Sequence, residues 1–241
     1  MTDWRIRRFP ILASTNDLAL EWMRAGLLRA GDVIVADEQT SGRGRPGRSW
    51  HSARGALLFS AVLPFRPQRV GWAALLAGLA VARAARELGV PAGVKWPNDV
   101  VVDGAKLAGI LVETSVSDRV AVGVGLNVTN TLPDPAALGR RVTRLADHAP
   151  GTSCDEVLPL VLRHLGSAWE LLESPAEELL AAWRELDSTL GRRVRWSAGE
   201  RAGIAEGLAH DGALLLRLDS GELARAEVGE VSFLDEPAPS P

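Results

Sequence analysis

The sequence predicts an α+β protein in two unequal parts. A mixed or antiparallel central sheet flanked by helices should occupy residues 1–188, a small antiparallel barrel 189–235, and a disordered tail 236–241. Three observations lead there. Strand-like and helix-like apolar patterns follow one another through the first part with turn signals between them. Asp103-Gly104 stands between two valine- and leucine-rich runs, the strongest short-range hairpin signal. From Gly191 the texture changes to short alternating runs separated by Gly, Asp-Gly and Ser-Gly turns, which indicates a barrel of about fifty residues.

The elements follow in order. Residues 5–12 read as a strand. Ser14-Thr15-Asn16-Asp17 opens a helix whose apolar residues are Leu18, Leu20, Trp22 and Met23, with Ser14 and Asp17 at capping-box spacing. A buried strand at 32–36, a polar glycine and arginine loop at 40–54 and a strand at 56–63 come next. Residues 68–88 predict a long alanine and leucine helix closed by Gly89. The hairpin spans 100–112. In the strand at 120–128, period two puts Val120, Val122, Val124, Leu126 and Val128 on one face and Ala121, Gly123, Gly125 and Asn127 on the other. Interior glycines suit the close approach of a ligand or the tight packing of a helix, and both readings stand. Helices at 155–172 and 176–186 lead to barrel strands at 192–196, 201–209, 213–218, 222–227 and 231–234. The closing Pro237-Ala238-Pro239-Ser240-Pro241 predicts disorder.

Composition narrows the function. With 241 residues, 46% hydrophobic and 24% charged, the chain reads as a soluble globular protein with no apolar run of membrane-spanning length. No apolar segment follows the first basic residues, so a cytoplasmic protein without a secretory signal is expected. Cys154 is the sole cysteine, which excludes an internal disulfide and a thiolate metal cluster. His51, His148, His164 and His210 lack ligand spacing, and no protein side chain is expected to ligate a metal directly. A net charge of −3 does not point to a polyanionic partner.

Of the 27 basic residues only Lys95 and Lys106 are lysines, and they fall close together. In a chain this biased towards arginine, a lysine marks a place for a compact ammonium on a flexible stem, or else an ordinary surface residue. The loop Gly42-Arg43-Gly44-Arg45-Pro46-Gly47-Arg48-Ser49-Trp50 offers three arginines and three glycine amides, which suits phosphate or carboxylate. It lacks the Gly-Lys-Ser/Thr ending of a P-loop. A minor-groove DNA arm is the competing reading; such arms sit in basic tracts, whereas this loop joins two apolar strands in an acidic chain.

Five segments in order resemble those of the biotin protein ligases. They are Ser14-Thr15-Asn16; Gln39 with the arginine loop; Lys95-Trp96-Pro97-Asn98-Asp99; Lys106-Leu107-Ala108-Gly109-Ile110-Leu111-Val112-Glu113; and Gly123 to Val128. The resemblance covers nearly the whole chain. It implies the class II synthetase-like biotin/lipoate ligase fold with a C-terminal SH3-like barrel. It also implies an enzyme that activates biotin with ATP to biotinoyl-AMP, with Mg2+, and passes biotin to a lysine of a biotin carboxyl carrier domain.

The resemblance assigns Ser14, Thr15, Asn16, Gln39, Gly42, Arg43, Lys106 and Gly109 to biotin, with Ser14 open to a second reading as a helix cap. Arg45, Arg48, Trp50, Asn98 and Asn127 are assigned to the nucleotide, with Trp50 either a lid over adenine or a hydrophobic anchor for its loop. Lys106 leads the catalytic group, because bringing carboxylate to phosphate calls for a fixed cation. Arg45 should retain the adenylate, and Asp99 should orient the reacting groups or a magnesium-bound phosphate. Lys95 reads as structural, with Trp96 and Pro97 fixing a bulged sheet edge.

A lipoate or octanoate ligase and a non-catalytic biotin sensor are the alternatives. The octanoyl type works through a cysteine, and Cys154 lies outside every motif. Thirteen residues before Ser14 leave no room for the helix-turn-helix of repressor-type members, so no DNA binding is expected. A monomer or homodimer fits equally well.

Overall fold

The computed structural model describes residues 3–45, 48–198 and 201–234. The expected disordered tail, the Gly47 amide and residue 235 lie outside them. The main sheet has seven strands: β1 (Arg5–Leu12), β2 (Asp32–Gln39), β3 (Ala56–Pro64), β4 (Gly93–Lys95), β5 (Asp99–Val102), β6 (Ala105–Glu113) and β7 (Arg119–Asn127). Their order is β1-β2-β3-β7-β6-β5-β4. Helix α1 (Thr15–Arg24) carries the chain back between β1 and β2, which therefore pair in parallel, while every other pair is antiparallel. The sheet is mixed, one of the two arrangements the sequence predicts.

Helices cover both faces. On one, α1 packs Ala19 and Met23 against Ile34, Val62 and Ala121. On the other lie α2 (Val70–Glu87), α4 (Cys154–Glu170) and α5 (Ala176–Arg184), after a single turn, α3 (Pro135–Leu138). Helix α2 is apolar almost all round because it lies between the sheet and α4, with Trp72, Leu75, Leu76 and Leu79 fully buried. Ser153 and Glu156 form a reciprocal capping box that starts α4.

The hairpin forms as expected: Asp103 and Gly104 both take positive φ, 47° and 77°, as a two-residue primed turn requires. The bulge expected around Lys95 to Pro97 is one hairpin further on. Strands β4 and β5 pair in regular register, and the Trp96–Pro97 peptide between them is cis. The β5–β6 register instead slips between Val100 and Val101, leaving Leu107 unpaired beside Lys106. Leu107 is fully buried, so its side chain anchors the irregularity next to the lysine.

The C-terminal unit is a five-stranded antiparallel sheet of β8 (Arg193–Trp196), β9 (Arg201–Leu208), β10 (Leu214–Leu218), β11 (Leu223–Ala226) and β12 (Val231–Phe233), in the order β11-β10-β9-β8-β12. Two tryptophans of the larger part hold it. Trp72 Nε1 donates to the His210 carbonyl at 2.9 Å and Trp96 Nε1 to the Gly212 carbonyl at 3.1 Å. Gly71 lies so close to the Asp211 carbonyl that a Cβ would collide with it. One apolar core runs through both sheets.

Candidate active site

The site lies where β6, β7, the start of α1 and the arginine loop meet. Its floor is the glycine face of β7. A Cβ at Gly123 would collide with the Asn16 side chain, and one at Gly125 with the Trp50 ring. The glycines thus admit α1 at one end and the Trp50 ring of the loop at the other, which is the close packing of a helix that the sequence allowed.

Side chains above the floor are tightly tied. Ser60 Oγ lies 2.8 Å from Thr15 Oγ1 and 2.6 Å from Asn16 Oδ1, all three residues being buried. Asn16 Nδ2 donates to Glu113 Oε2 at 2.8 Å, and the Thr15 amide donates to Gln39 Oε1 at 2.7 Å. Gln39 Nε2 in turn donates to Ser52 Oγ at 3.0 Å. Ser14 caps α1, accepting from the Asp17 amide at 3.3 Å, and also lines the cavity. A small polar pocket with fixed donors and acceptors suits a urea-like head group.

The arginine loop folds over this floor, with the Trp50 amide donating to the Gly42 carbonyl at 2.9 Å. Gly42 has to be glycine here, since a Cβ would collide with Ser52 Oγ. Arg43 turns inward as a fork on Glu113, 3.0 and 2.6 Å, and reaches Asp17 at 2.7 Å. Arg45 and Arg48 turn the other way. Both meet Glu230, in the connection between β11 and β12, at 2.8 and 2.7 Å, and Arg45 also donates to the Gly229 carbonyl at 2.7 Å. The Trp50 ring lies over Gly125 and Gly109, with Lys106 Nζ 5.5 Å from its centroid and its own Nε1 buried with no hydrogen-bond partner among the described residues. The cavity beneath measures about 60 Å³, room for a few waters.

Lys106 Nζ pairs with Asp99 Oδ1 at 2.6 Å, and Arg140 approaches Asp99 Oδ2 at 3.8 Å. Burial pushes the Lys106 ammonium below the usual lysine range and Arg140 pushes the same way, while Asp99 opposes both. Asn98 donates to the Ile110 carbonyl at 2.8 Å and lines the cavity. Asn127 stands apart: its buried amide donates to the Thr143 carbonyl and accepts from Asn130, and it lines neither this cavity nor the next. A second cleft of 310 Å³ opens beyond Asp99 and Lys106, between the main sheet and β12.

Comparison with known proteins gives this geometry its context. Residues 9–127 match the biotin/lipoate A/B protein ligase family, and residues 189–234 match the biotin protein ligase C-terminal domain. The chain belongs to the biotin protein ligase family. It is 35% identical to the biotin--[acetyl-CoA-carboxylase] ligase of Mycobacterium tuberculosis over 92% of this chain and 86% of that one. With the bifunctional ligase/repressor BirA of Escherichia coli it shares 33% identity, covering 93% of this chain and 72% of the relative. A biotin protein ligase from Aquifex aeolicus, solved with biotin and ATP, superposes with a TM-score of 0.81 at 31% identity, covering 95% of this chain and 97% of that one.

In this ligase the fold brings Ser14, Thr15, Asn16, Gln39, Arg43, Arg45, Arg48, Trp50, Asn98, Asp99, Lys106 and Gly109 around one cavity. Sequence reasoning missed Arg140 and Glu230, which complete its charged rim, and Ser60 and Glu113, which tie its floor. Glu113 closes the Lys106 motif and was within reach; Arg140 and Glu230 stand in connections without periodicity.

Proposed function

We propose that this ligase joins biotin to a carrier lysine in two steps, with Lys106 as the central catalytic cation. The observation that carries this is the half-buried Lys106–Asp99 pair at the junction of a small polar pocket and a larger basic cleft. Biotin carboxylate attacks the α-phosphorus of ATP, pyrophosphate leaves, and the carrier lysine then attacks the activated acyl carbon, releasing AMP. Lys106 offsets the charge that accumulates as carboxylate and phosphate meet. Ser14, Thr15, Asn16, Gln39, Gly42 and Arg43 hold the ring of biotin. Arg45, Arg48, Trp50 and Asn98 take the nucleotide, and Asn127 steadies the wall behind it through Thr143. Magnesium would arrive bound to the ATP phosphates and lend them charge neutralisation, and Asp99, paired with Lys106, would orient the reacting groups or that magnesium-bound phosphate without ligating the metal itself.

Because Trp50 covers the glycine floor, it has to swing out before biotin or adenylate can occupy the site. The partner is the carrier domain of a biotin-dependent carboxylase, and the reaction belongs in the cytoplasm. The catalytic part ends near 188. No helix among the described residues is long and apolar enough to cross a membrane.

An acyl-cysteine route of the octanoyl kind finds no support. Burial pushes the Cys154 thiol up to about 11, its sulfur lies 3.5 Å from the Gly55 carbonyl, and it lines a different surface pocket. The test is pyrophosphate release from ATP with biotin, lipoate or octanoate as the acid. Release with biotin alone is expected. Release with lipoate or octanoate and not with biotin, or with none, refutes the reading.

A further inference from the structure

We propose that Arg140 is a further catalytic residue of this ligase, whose guanidinium receives the pyrophosphate leaving group in the cleft between the main sheet and β12. The proposal rests on the biotin-ligase reading of the site.

Position comes first. Residues 141–143 run alongside the start of β6: the Lys106 amide donates to the Arg141 carbonyl at 2.9 Å, the Thr143 amide donates to the Lys106 carbonyl at 2.9 Å, and the bridge Lys106 to Val142 is parallel. This register sends Arg140 to the lysine side, where it reaches Asp99, and Arg141 outward to the Asp103 carbonyl at 3.0 Å. Arg140 lines both the small cavity under Trp50 and the 310 Å³ cleft. It therefore stands where the small cavity and the cleft adjoin.

Its bonding state is the second observation. Arg45 and Arg48 are held by Glu230, and Lys106 by Asp99. Arg140 only approaches Asp99, at 3.8 Å, and its Nε is buried with no hydrogen-bond partner among the described residues. A buried donor left unpaired is costly, and such a group at a cavity wall is ready for an incoming acceptor. Charge agrees. Arg48, Lys95, Lys106, Arg140 and Arg141 line the cleft against the carboxylates of Asp99 and Glu230.

The chemistry needs a cation there. A biotin carboxylate oxygen bonds to the α-phosphorus as the bond from that phosphorus to the bridging oxygen breaks. The electron pair departs on the pyrophosphate oxygen, and no proton is transferred. Negative charge thus grows at two places, the attacked phosphorus and the leaving oxygen. Asp99 sits between Lys106 and Arg140, so one carboxylate spaces two cations: Lys106 for the first place and Arg140 for the second. A guanidinium fork suits the paired oxygens of pyrophosphate better than an ammonium.

The test compares wild-type enzyme, Arg140→Ala and Arg140→Lys, with a biotin carboxyl carrier domain as acceptor. In Arg140→Ala, the KM for ATP and the inhibition constant for added pyrophosphate should each rise about tenfold or more. The KM for biotin, and the rate of transfer from preformed biotinoyl-AMP to the carrier, should stay within about twofold. Arg140→Lys should recover part of both losses. Unchanged pyrophosphate inhibition in Arg140→Ala overturns the proposal. So does equal loss of transfer from preformed adenylate, which would make Arg140 a structural support. If wild-type enzyme itself releases no pyrophosphate with biotin, the ligase reading fails and takes this proposal with it.

Discussion

Lys106 shows how a side chain is tuned before any ligand arrives. It is half-buried beside one carboxylate and one guanidinium, so its charge is held by Asp99 against desolvation and against Arg140. Replacing it with alanine should cut adenylate formation about 100-fold or more, about 3 kcal/mol of transition-state stabilisation, with folding retained. Pyrophosphate release near the wild-type rate would remove Lys106 from the mechanism. The sign of its pKa shift gives a further check. Because Asp99 supports the charged form, Asp99→Asn should move the alkaline limb of the pH–rate profile to lower pH, and a limb that stays in place or moves up contradicts the pairing. Lys106 was legible in the sequence because lysine is rare in this chain and follows a hairpin turn. Arg140 was not, since nothing about one arginine among many foretells a neighbour 41 positions away.

At the scale of elements, legibility follows the strength of local signals. Strand β1, the Asp-Gly hairpin and the two-faced β7 stand within a residue or two of where periodicity and turn chemistry put them. Strand β4 went unread because three residues carry no period, and the parallel pairing of β1 with β2 depends on how α1 crosses the sheet. The turn joining the two parts was equally silent. There Asp187 accepts from the Thr189 and Leu190 amides, both at 2.7 Å, while Thr189 Oγ1 accepts from the Trp96 amide at 3.0 Å. Burial nevertheless pushes the Asp187 carboxyl up to about 6. A raised carboxyl pKa means that its stabilising contribution is complete below about pH 4 and lost as pH rises through 6. The shift corresponds to about 2–3 kcal/mol. The stability of the wild type relative to Asp187→Asn should therefore fall by about that amount between pH 4 and 7 in urea titrations. A constant difference would show that Asp187 is ionised as readily in the folded chain as in the unfolded one.

At the scale of the whole molecule, the C-terminal sheet does more than cover the tryptophans on which it sits. The family resemblance implied the sheet, and its spacing of turns gave its extent, yet neither indicated that it reaches the loop nearly two hundred residues earlier. Glu230 does so by holding Arg45 and Arg48 with its two oxygens, and Gly229 adds its carbonyl to Arg45. Each arginine engages the carboxylate through one nitrogen of a five-donor fork, so the remaining donors can turn to phosphate while the anchor persists. Under the proposed function, Glu230 is a positioning residue that orders in advance the two side chains proposed to take phosphate. The pairs are partly exposed, and each contributes on the order of 0.5–1 kcal/mol. Glu230→Gln should accordingly raise the KM for ATP about three- to tenfold, while biotin affinity, which the proposed function assigns to the floor tied by Asn16, Gln39 and Glu113, should stay within about twofold. The effect should shrink at high salt, because screening weakens the anchor in the wild type as well. A fall in the KM for ATP would mean instead that Glu230 competes with phosphate for the two arginines, making the C-terminal sheet a restraint on the loop rather than its support.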